Sequence, residues 1–566
     1  MRSARTFALA LVGVGGLLLA CGHLPFEDIP NTEDAGGADG GPLEDGNLPD
    51  ADLLDASVDA RVDASVDAAD GGCAGPTCVG TFVSGATGAD TNPGTAGKPV
   101  KTIAKGMAIA VALGGQQNVY VAASHYPEKV TLVERIDLLG GYDCSAISCT
   151  WARDANKNDT AILDPDDEGV LAPATVTRKT LFDGFRVAGK SGVPNGAPGI
   201  AAMSLAGGTP TVMHCRLTGG AVTGGAPNAT SIGLVVAGAP NDAAGALIEQ
   251  NAISGGTSTD ESIGVLFTSR VASVAGPSVA VLRSNKIRGG AASVTTGVSA
   301  FTSGLGTVIE RNDIASGTSS AASGASWGII VGSTMTIDAN HINTDVNSGA
   351  ACPTSAAGSF CGGIHSLGST TTIVNNVVRG AKGPRTCAVL LTDGEEGLGT
   401  VVLNGNTLDG GGNAGPDGSV SAAVALRISQ GMSATLGKVR NNILLGGSNK
   451  NRYGVFEDAT AGKTARTVAL ENNDFWNVGV PRNDFAYRVW NGNAGTDVTF
   501  AQLGTIPAPV PSGNLGVDPL LDATYHLTVT SPMIDKGTST EAPLDDLDGN
   551  SRPKGAAIDI GADEAK

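Results

Sequence analysis

One short phrase recurs through the middle of the chain: an apolar residue, two further residues, Asn, one residue and a second apolar residue, often followed by Gly. The segments 248–253 and 282–287 are two copies. The Asn position is held by Asn251, Asn285, Asn312, Asn340, Asn376, Asn406, Asn442 and Asn473, and Cys215 holds it in a first copy. Successive positions are 27 to 36 residues apart. A period near 30 residues with variable length is the signature of a solenoid.

The phrase has a direct physical interpretation. Apolar residues on both sides of the Asn suit two short strands that face one interior, and we expect the Asn itself to adopt the left-handed conformation that makes a sharp bend. A third apolar strand precedes each phrase, often led by Gly, as in the segment 328–331. Three short strands per turn, stacked in parallel, form a parallel β-helix. Stacking then predicts that the Asn amides hydrogen-bond to one another as a ladder.

These repeats resemble those of the right-handed, pectin-lyase-like parallel β-helix proteins over residues 175–480. The resemblance implies an all-β, right-handed parallel β-helix solenoid of about 9–12 coils. It specifies the fold and says little about function. With 82 Gly and 4% aromatic residues, the composition agrees, because a solenoid buries a thin core of small and β-branched side chains.

The N-terminal 72 residues have a different composition. Residues 1–20 contain two Arg, an apolar run and small residues, as an export signal does. The segment 18–21, which ends in Cys21, resembles a bacterial lipoprotein signal, which implies lipidation of Cys21 and anchoring at the outer membrane or cell surface. Residues 21–72 contain fourteen acidic residues and one Arg, and we interpret them as an acidic disordered tether.

The folded part is expected to begin at residue 73, with an N-terminal cap and first coils over 73–174, repeats over 175–480 and a C-terminal cap over 481–566. Thr102–Leu113 has helical composition and ends at two Gly, so it predicts a helix that covers the open end of the first coil. Both terminal regions resemble those of secreted bacterial β-helix proteins of unknown function. Tyr126 and Glu128 carry part of that resemblance. They are either site residues or cap contacts, and we favour cap contacts.

Eight Cys follow Cys21. Short spacing favours the pairs Cys73–Cys78, Cys144–Cys149 and Cys352–Cys361. The repeat count places Cys215 and Cys387 about five coils apart, roughly 24 Å at one strand spacing per coil, which is beyond the reach of a disulfide. We therefore predict two unpaired, buried thiols.

No catalytic signature was found. The carboxylate and basic clusters of pectate lyases and the motifs of polygalacturonases are absent from the sequence. A net charge of −19 without a basic face argues against nucleic-acid binding. Asp546 and Asp548, with Asp545, are Ca²⁺ candidates, but the Asp-Gly-Asn sequence also forms an ordinary turn, which we favour. No other cofactor is expected.

We predict that a ligand would bind an open flank of the solenoid, because the interior of a coil is filled by its own side chains. The candidate contacts are Asp393, Glu395, Glu396 and Arg427 on the middle coils, with Trp476, Arg488 and Trp490 near the end. The acidic group is also compatible with a solvated loop. The aromatic residues near the end fit either a sugar platform or a hydrophobic lid over the last coil, and we favour the lid.

Three functions fit these observations. The first is an exported, lipid-anchored protein that binds or displays a glycan or a cell-surface partner. The second is a polysaccharide lyase or glycoside hydrolase on the same scaffold, and the third is a purely structural surface protein. Because function is located in sites and not in the fold, the sequence favours the non-enzymatic functions only through the missing motifs.

Overall fold

The computed structural model describes residues 79–565 apart from several loops. The gaps are 146–148, 164–166, 195–198, 224–228, 241, 270–275, 302, 320–324, 345–359, 394–400, 414–417, 429–433, 461, 463–464, 477–482 and 507–510. The expected export signal, Cys21 and the acidic tether lie outside the described residues.

Three long sheets form the described part of the chain. The first sheet contains, in order, Thr81–Val83, Gln117–Ala122, Ile136–Cys144, Leu181–Asp183, Thr211–Met213, Ala246–Glu249, Ala280–Arg283, Val308–Glu310, Met335–Asp338, Thr371–Val374, Val401–Asn404, Ala434–Arg440 and Ala465–Glu471, with Cys149–Arg153 antiparallel to the third of these strands. The second sheet contains Ser124–Tyr126, Thr160–Leu163, Arg186–Ala188, Arg216–Thr218, Ala252–Ser254, Lys286–Arg288, Asp313–Ala315, His341–Asn343, Val377–Arg379, Thr407–Asp409, Ile443–Leu445 and Asp474–Trp476.

The third sheet contains Val130–Thr131, Glu168–Pro173, Ile200–Ala206, Thr230–Ala237, Glu261–Thr268, Val294–Ala300, Ala325–Val331, Cys361–Leu367, Arg385–Thr392, Val420–Ile428, Asn451–Ala459 and Asn483–Trp490, followed by the antiparallel strand Gly495–Val498. A small separate pair joins Ala291–Ala292 to Thr318–Ser319. One α-helix, Ile103–Leu113, and a 3-10 helix, Phe500–Thr505, complete the described elements.

The strand order makes the architecture a parallel β-helix. Each strand pairs in parallel with the equivalent strand one repeat later, as Ile248 with Leu282 and Ile253 with Ile287. Since the second sheet has 12 strands, the described residues make twelve coils, which we number from the coil that begins at Gln117. The predicted fold is confirmed, and the number of coils lies at the upper end of the expected range.

The N-terminal helix covers the open end of the solenoid, as predicted. Thr102 caps its first turn by accepting a hydrogen bond from Lys105 N. The helix buries Ile103, Met107 and Ala110 in the main core. Among the residues described, no helix is long and apolar enough to cross a membrane.

The repeat Asn side chains form a continuous ladder between the first and second sheets, which we call the Asn bend. Asn312 Nδ2 donates to Asn340 Oδ1 at 2.9 Å and also to the carbonyls of Leu282 and Glu310. The backbone N–H of Asn312 donates to the same Asn340 oxygen. The same links connect every rung from Asn251 to Asn473.

Our expectation for the backbone at this bend was wrong by one residue. The left-handed conformation belongs to the residue before each Asn, such as Gln250 (φ 55°), Ser284 (φ 53°) and Arg311 (φ 54°). The preceding residue turns the chain, and the Asn side chain then points along the stack to the next coil. The turn and the stacking contact are therefore made by two different residues. For this reason the residue before the Asn varies widely in type, while the Asn recurs.

The strands of the third sheet bend in the middle. Two successive residues of one strand, such as Ala388 and Val389, both contribute to the main core, whereas a regular strand alternates its faces. The first position of the pair is Gly or Ala because it packs against the second sheet. A Cβ at Gly363 would lie 2.1 Å from Val378 Cγ1, and one at Gly328 would lie 2.5 Å from Ile342 Cγ2.

The last part of the chain adds a partial thirteenth turn and then runs back along the solenoid. Leu515 forms a parallel bridge with Asp474, and Asn514 accepts hydrogen bonds from Asn473 as a further rung. The segment 517–565, which we call the C-terminal tail, then contacts the Asn bend of coil 12 through Asn472 and that of coil 7 through Arg311. It therefore covers the bend over the second half of the solenoid.

The described residues contain one complete predicted disulfide and both predicted free thiols. Cys144 and Cys149 form a disulfide, and Cys361 is also disulfide-bonded. Its expected partner Cys352, and the pair Cys73–Cys78, lie outside the described residues. Cys215 and Cys387 are free and buried, as predicted, and burial raises the pKa of the Cys215 thiol to about 12.

Candidate functional site

The bend of the third sheet makes its outer face concave and gathers large side chains there. Tyr453 and Phe456, three residues apart in one strand, have ring centroids 5.0 Å apart, although an unbent strand would direct them to opposite faces. An aromatic and aliphatic cluster separate from the main core lines this face over coils 7 to 11: Trp327, Ile330, Phe360, Cys387, Leu390, Val420, Ala422, Ala425, Tyr453 and Phe456.

Charged groups lie over this cluster. We call the cluster together with His365, Arg385, Arg427, Asp458, Arg488 and Asp497 the third-sheet surface. The guanidinium of Arg385 lies 4.6 Å from the centroid of the Phe360 ring and 5.8 Å from that of Phe456. Its Nη2 is 3.8 Å from Asp458 Oδ2, and both side chains are about one quarter exposed, at 26% and 29%. Arg385 is therefore held by two rings and one carboxylate, with part of its surface in solvent.

Arg488 is held in the same way three coils further on. Its guanidinium lies 5.2 Å from the centroid of the Phe456 ring, on the strand next to Arg488. Its Nη1 donates to Asp497 Oδ1 at 3.0 Å, across the antiparallel hairpin that ends the sheet. Arg427 lies between them in the stack, paired in register with Asp458. Three arginines thus occupy coils 9, 10 and 12 on one face.

The electrostatics show that the three arginines are mutually close. Burial lowers the pKa of Arg385, the charges of Arg427 and Arg488 lower it further, and Asp458 opposes them. Within the described residues, the buried Nε atoms of Arg385 and Arg488 have no hydrogen-bond partner. The side chains of Arg385 and Arg488 are each 26% exposed. The surface therefore combines three arginines, two of them held by aspartates, with guanidinium groups that remain partly in solvent.

His365 lies on the same face but is not a candidate base. Its ring lies against Trp327 at 4.8 Å between centroids, and its Nε2 is 3.0 Å from Thr392 Oγ1. Burial lowers the pKa of His365 to about 3, and the charge of Arg427 acts in the same direction. The imidazole is therefore neutral at neutral pH and contributes shape and a dipole to the surface.

The structure brings together only some of the residues named from the sequence. Asp393 follows Thr392, which pairs in register with Arg427, so Asp393 and Arg427 lie on adjacent coils, as expected. Asp393 is buried, with 8% exposure, so it does not present an open carboxylate. Glu395 and Glu396 lie outside the described residues.

The two tryptophans are placed elsewhere, which corrects the predicted grouping. Trp476 is in the second sheet and packs against a hydrophobic cluster that includes Met533 and Ile560 of the C-terminal tail. Trp490 lies at the end of the third sheet and packs on the main core. The lid interpretation describes these two side chains better than a sugar platform.

Several other candidates have structural roles. Glu128 accepts hydrogen bonds from Ile103 N and Ala104 N, so it caps the N-terminal helix. The hydroxyl of Tyr126 donates to Ala122 O and accepts from Gly85 N. Both residues are cap contacts.

The turn of the Ca²⁺ candidates is held by Asp546, which is fully buried. Its Oδ1 accepts from the N–H groups of Asp548 and Asn550, and its Oδ2 accepts from Glu564 N. These bonds fit the turn interpretation. Asp545 pairs instead with Arg311, and Asp548 points to His526.

Arg385, Asp458 and Asp497 were not among the predicted site residues. The sequence does mark the bend, because Gly or Ala recurs in the middle of the third strand. This signal places the residue before it and the residue two positions after it on the outer face, as with Tyr453 and Phe456, but it does not single out the three charged residues.

No family model and no curated protein matches the sequence. Solved structures with similar folds include pectate lyase Pel9A, at 12% identity over 87% of this chain and 98% of that chain, with a TM-score of 0.35. Another is XylC in complex with xylose, at 10% identity over 85% of this chain and 98% of that chain, with a TM-score of 0.35. A third is PfbA, a surface adhesin of Streptococcus pneumoniae, at 13% identity over 69% of this chain and 94% of that chain, with a TM-score of 0.21. The assignment as a parallel β-helix follows from the strand order itself.

Proposed function

We propose that this protein is an exported, lipid-anchored β-helix that binds an acidic polysaccharide along the third-sheet surface. The observation that carries the proposal is the convergence of Arg385, Arg427 and Arg488 on one concave face. Guanidinium groups bind carboxylates and sulfates with paired hydrogen bonds. Aromatic rings beside them offer faces on which a sugar ring can pack.

The arrangement along the axis suits a polymer. The arginines lie on coils 9, 10 and 12, and at about 4.8 Å per coil they span roughly 15 Å. A single small anion would need one of these groups, whereas a chain with repeating acidic sugars would meet all three in succession. The acidic partners Asp458 and Asp497 hold the arginines in place and disfavour adventitious anions.

Affinity gel electrophoresis of the full chain tests this proposal. Polygalacturonate and heparin are the acidic probes and dextran is the neutral control, each with Ca²⁺ and with EDTA. We expect retardation by an acidic probe and none by dextran. The variants Arg385→Gln and Arg488→Gln should each weaken binding about tenfold or more, since each removes a charge-assisted interaction.

Arg283→Gln is the matched control, because Arg283 pairs with Glu310 at 2.6 Å on the first sheet of coil 6. Equal retardation of the wild type and both third-sheet variants would contradict the proposed site. Unsaturated products or new reducing ends would instead establish the enzymatic function, and no retardation by any probe would favour the structural one.

The anchor has its own test. Metabolic labelling with a radioactive fatty acid should label the wild-type chain and not Cys21→Ser, and only the wild type should remain with the membrane fraction. Labelling of both chains would contradict lipidation at Cys21.

A further inference from the structure

The C-terminal tail contains a cluster of metal-ligating groups that the polysaccharide proposal does not use. His526, Asp548 and Asp563 come from three separate segments of the tail, and one donor atom of each lies within 4.8 Å of the others. His526 Nε2 is 3.3 Å from Asp548 Oδ2. The tail segments have little regular secondary structure in the described residues, so these side chains converge through turns.

Asp563 is more than nine-tenths buried, at 7% exposure. Its Oδ2 accepts one hydrogen bond, from Leu527 N at 2.9 Å. Within the described residues no donor is bonded to its Oδ1. This oxygen of a mostly buried side chain is therefore open to a cation bound in the cluster.

The neighbours of His526 orient its ring as the outer groups of metal sites do. His526 Nδ1 is 2.8 Å from Thr524 Oγ1, and that hydroxyl donates to Asp522 Oδ1 at 2.8 Å. Because the hydroxyl proton is used by Asp522, the hydroxyl accepts from Nδ1–H. Nε2 then faces the two carboxylates, and in the neutral ring it carries a lone pair. Either a proton on Nε2 or a metal ion between this nitrogen and the carboxylates removes the repulsion. A ring held by a second polar group with its other nitrogen facing carboxylates is also how histidine ligands of metal ions are oriented.

We propose that His526, Asp548 and Asp563 bind one divalent transition-metal ion, with Zn²⁺ as the best fit, and that the ion joins three segments of the C-terminal tail. One imidazole and two carboxylates are a ligand set that suits Zn²⁺. Ca²⁺ prefers oxygen ligands in larger number. Since the tail covers the Asn bend of coils 7 to 12, the metal stabilises the cover of that half of the solenoid.

The experiment uses the full chain, treated with EDTA and then dialysed. Titration calorimetry with ZnCl₂ should give one site per chain, and thermal melting should shift upward with ZnCl₂ and return on EDTA addition. His526→Ala and Asp563→Asn should each lower the affinity for Zn²⁺ at least about tenfold. CaCl₂ should produce a much smaller shift than ZnCl₂.

Two further variants keep the result interpretable. Asp545→Asn is the matched control, because Asp545 belongs to the same turn but pairs with Arg311, and it should bind Zn²⁺ like the wild type. Thr524→Val removes the group that orients His526 and leaves all three ligands, so it should weaken binding about tenfold without abolishing it. If the wild type binds no Zn²⁺, or if His526→Ala and Asp563→Asn bind it as the wild type does, the site does not exist.

Discussion

The Asn bend and the third-sheet surface are both polar, and they use their polar atoms in opposite ways. At the Asn bend, every rung amide donates to a carbonyl of its own or the previous coil and to the next Asn oxygen, as Asn340 and Asn376 do. On the third-sheet surface, Arg385 Nε, Arg488 Nε and His365 Nδ1 have no partner among the described residues. The hydrogen bonds of the Asn bend are thus complete within the fold, whereas those of the third-sheet surface are not, and 26% of each of the Arg385 and Arg488 side chains remains in solvent.

The two regions also differ in how often one residue type recurs at equivalent positions of successive coils. The Asn bend uses the same residue in coil after coil, because each amide must match the one above and below it. The equivalent column of the third sheet changes from Ile330 to His365, Leu390, Ala425, Phe456 and Arg488 over coils 7 to 12. The scaffold does not require one residue type at this position, as it does at the Asn bend.

A large effect on stability is expected at the Asn bend. Asn312→Ala removes the side-chain bonds to Leu282, Glu310 and Asn340 and leaves the donors of Asn285 without their acceptor. We expect the free energy of unfolding to fall by on the order of 3 kcal/mol, measured by urea denaturation. Asp313→Ala, the exposed neighbour, is the control and should change it by less than about 0.5 kcal/mol. Similar losses in both variants would contradict the ladder's role.

A smaller, pH-dependent effect is expected at His365. The folded-state pKa of about 3 lies below the usual value of 6.5, so on acidification the unfolded chain takes up a proton that the folded chain excludes. This contribution to stability is complete above pH 6.5 and is lost as the pH falls toward 3. At pH 5 the loss is roughly 2 kcal/mol.

His365→Gln should lack this loss. Urea denaturation at pH 7.5 and pH 5.0 should therefore show a larger decrease for the wild type than for the variant. His125→Gln, an exposed histidine of the second sheet, should behave as the wild type does. An identical decrease in all three proteins would mean that His365 is accessible to protons in the folded state.

The fold could be predicted from the sequence because it is repeated. Eight Asn at a common offset from apolar residues fix the order of the first two strands, and the Gly or Ala that leads the third strand fixes its place. Asn514 was missed because its turn has Pro511 where the other phrases have an apolar residue. Its role depends on a left-handed Gly513 (φ 65°) and on stacking over Asn473.

The site could be predicted only in part, since it depends on where each flank lies and what covers it. Arg427 and Arg488 were named, but their grouping with Trp476 was wrong because the C-terminal tail covers the second sheet. In the aligned strands of the third sheet, Arg385 is level with Asn451, and Asp458 comes seven residues after Asn451. Only the bend of the sheet brings the side chains of Arg385 and Asp458 to 3.8 Å. The repeat pattern marks the position of the bend, but it shows neither which side chains the bend brings together nor the return of the tail.

The smallest effect on stability is expected for Arg385→Gln, and this variant separates the two regions most clearly. Its ion pair with Asp458 is long and partly exposed, and its contacts with Phe360 and Phe456 are worth about 1 kcal/mol at such sites. We expect the urea midpoint to move little while binding of acidic polysaccharide falls about tenfold or more. Arg452 is the contrasting arginine: it is 2% exposed and makes two bonds to Asp484. Arg452→Gln should lower stability by several kcal/mol and, in the fraction that remains folded, bind as the wild type does. If Arg385→Gln unfolds as readily as Arg452→Gln, the guanidinium of Arg385 belongs to the fold in the same way as the Asn ladder, and its position on the third-sheet surface no longer indicates a ligand.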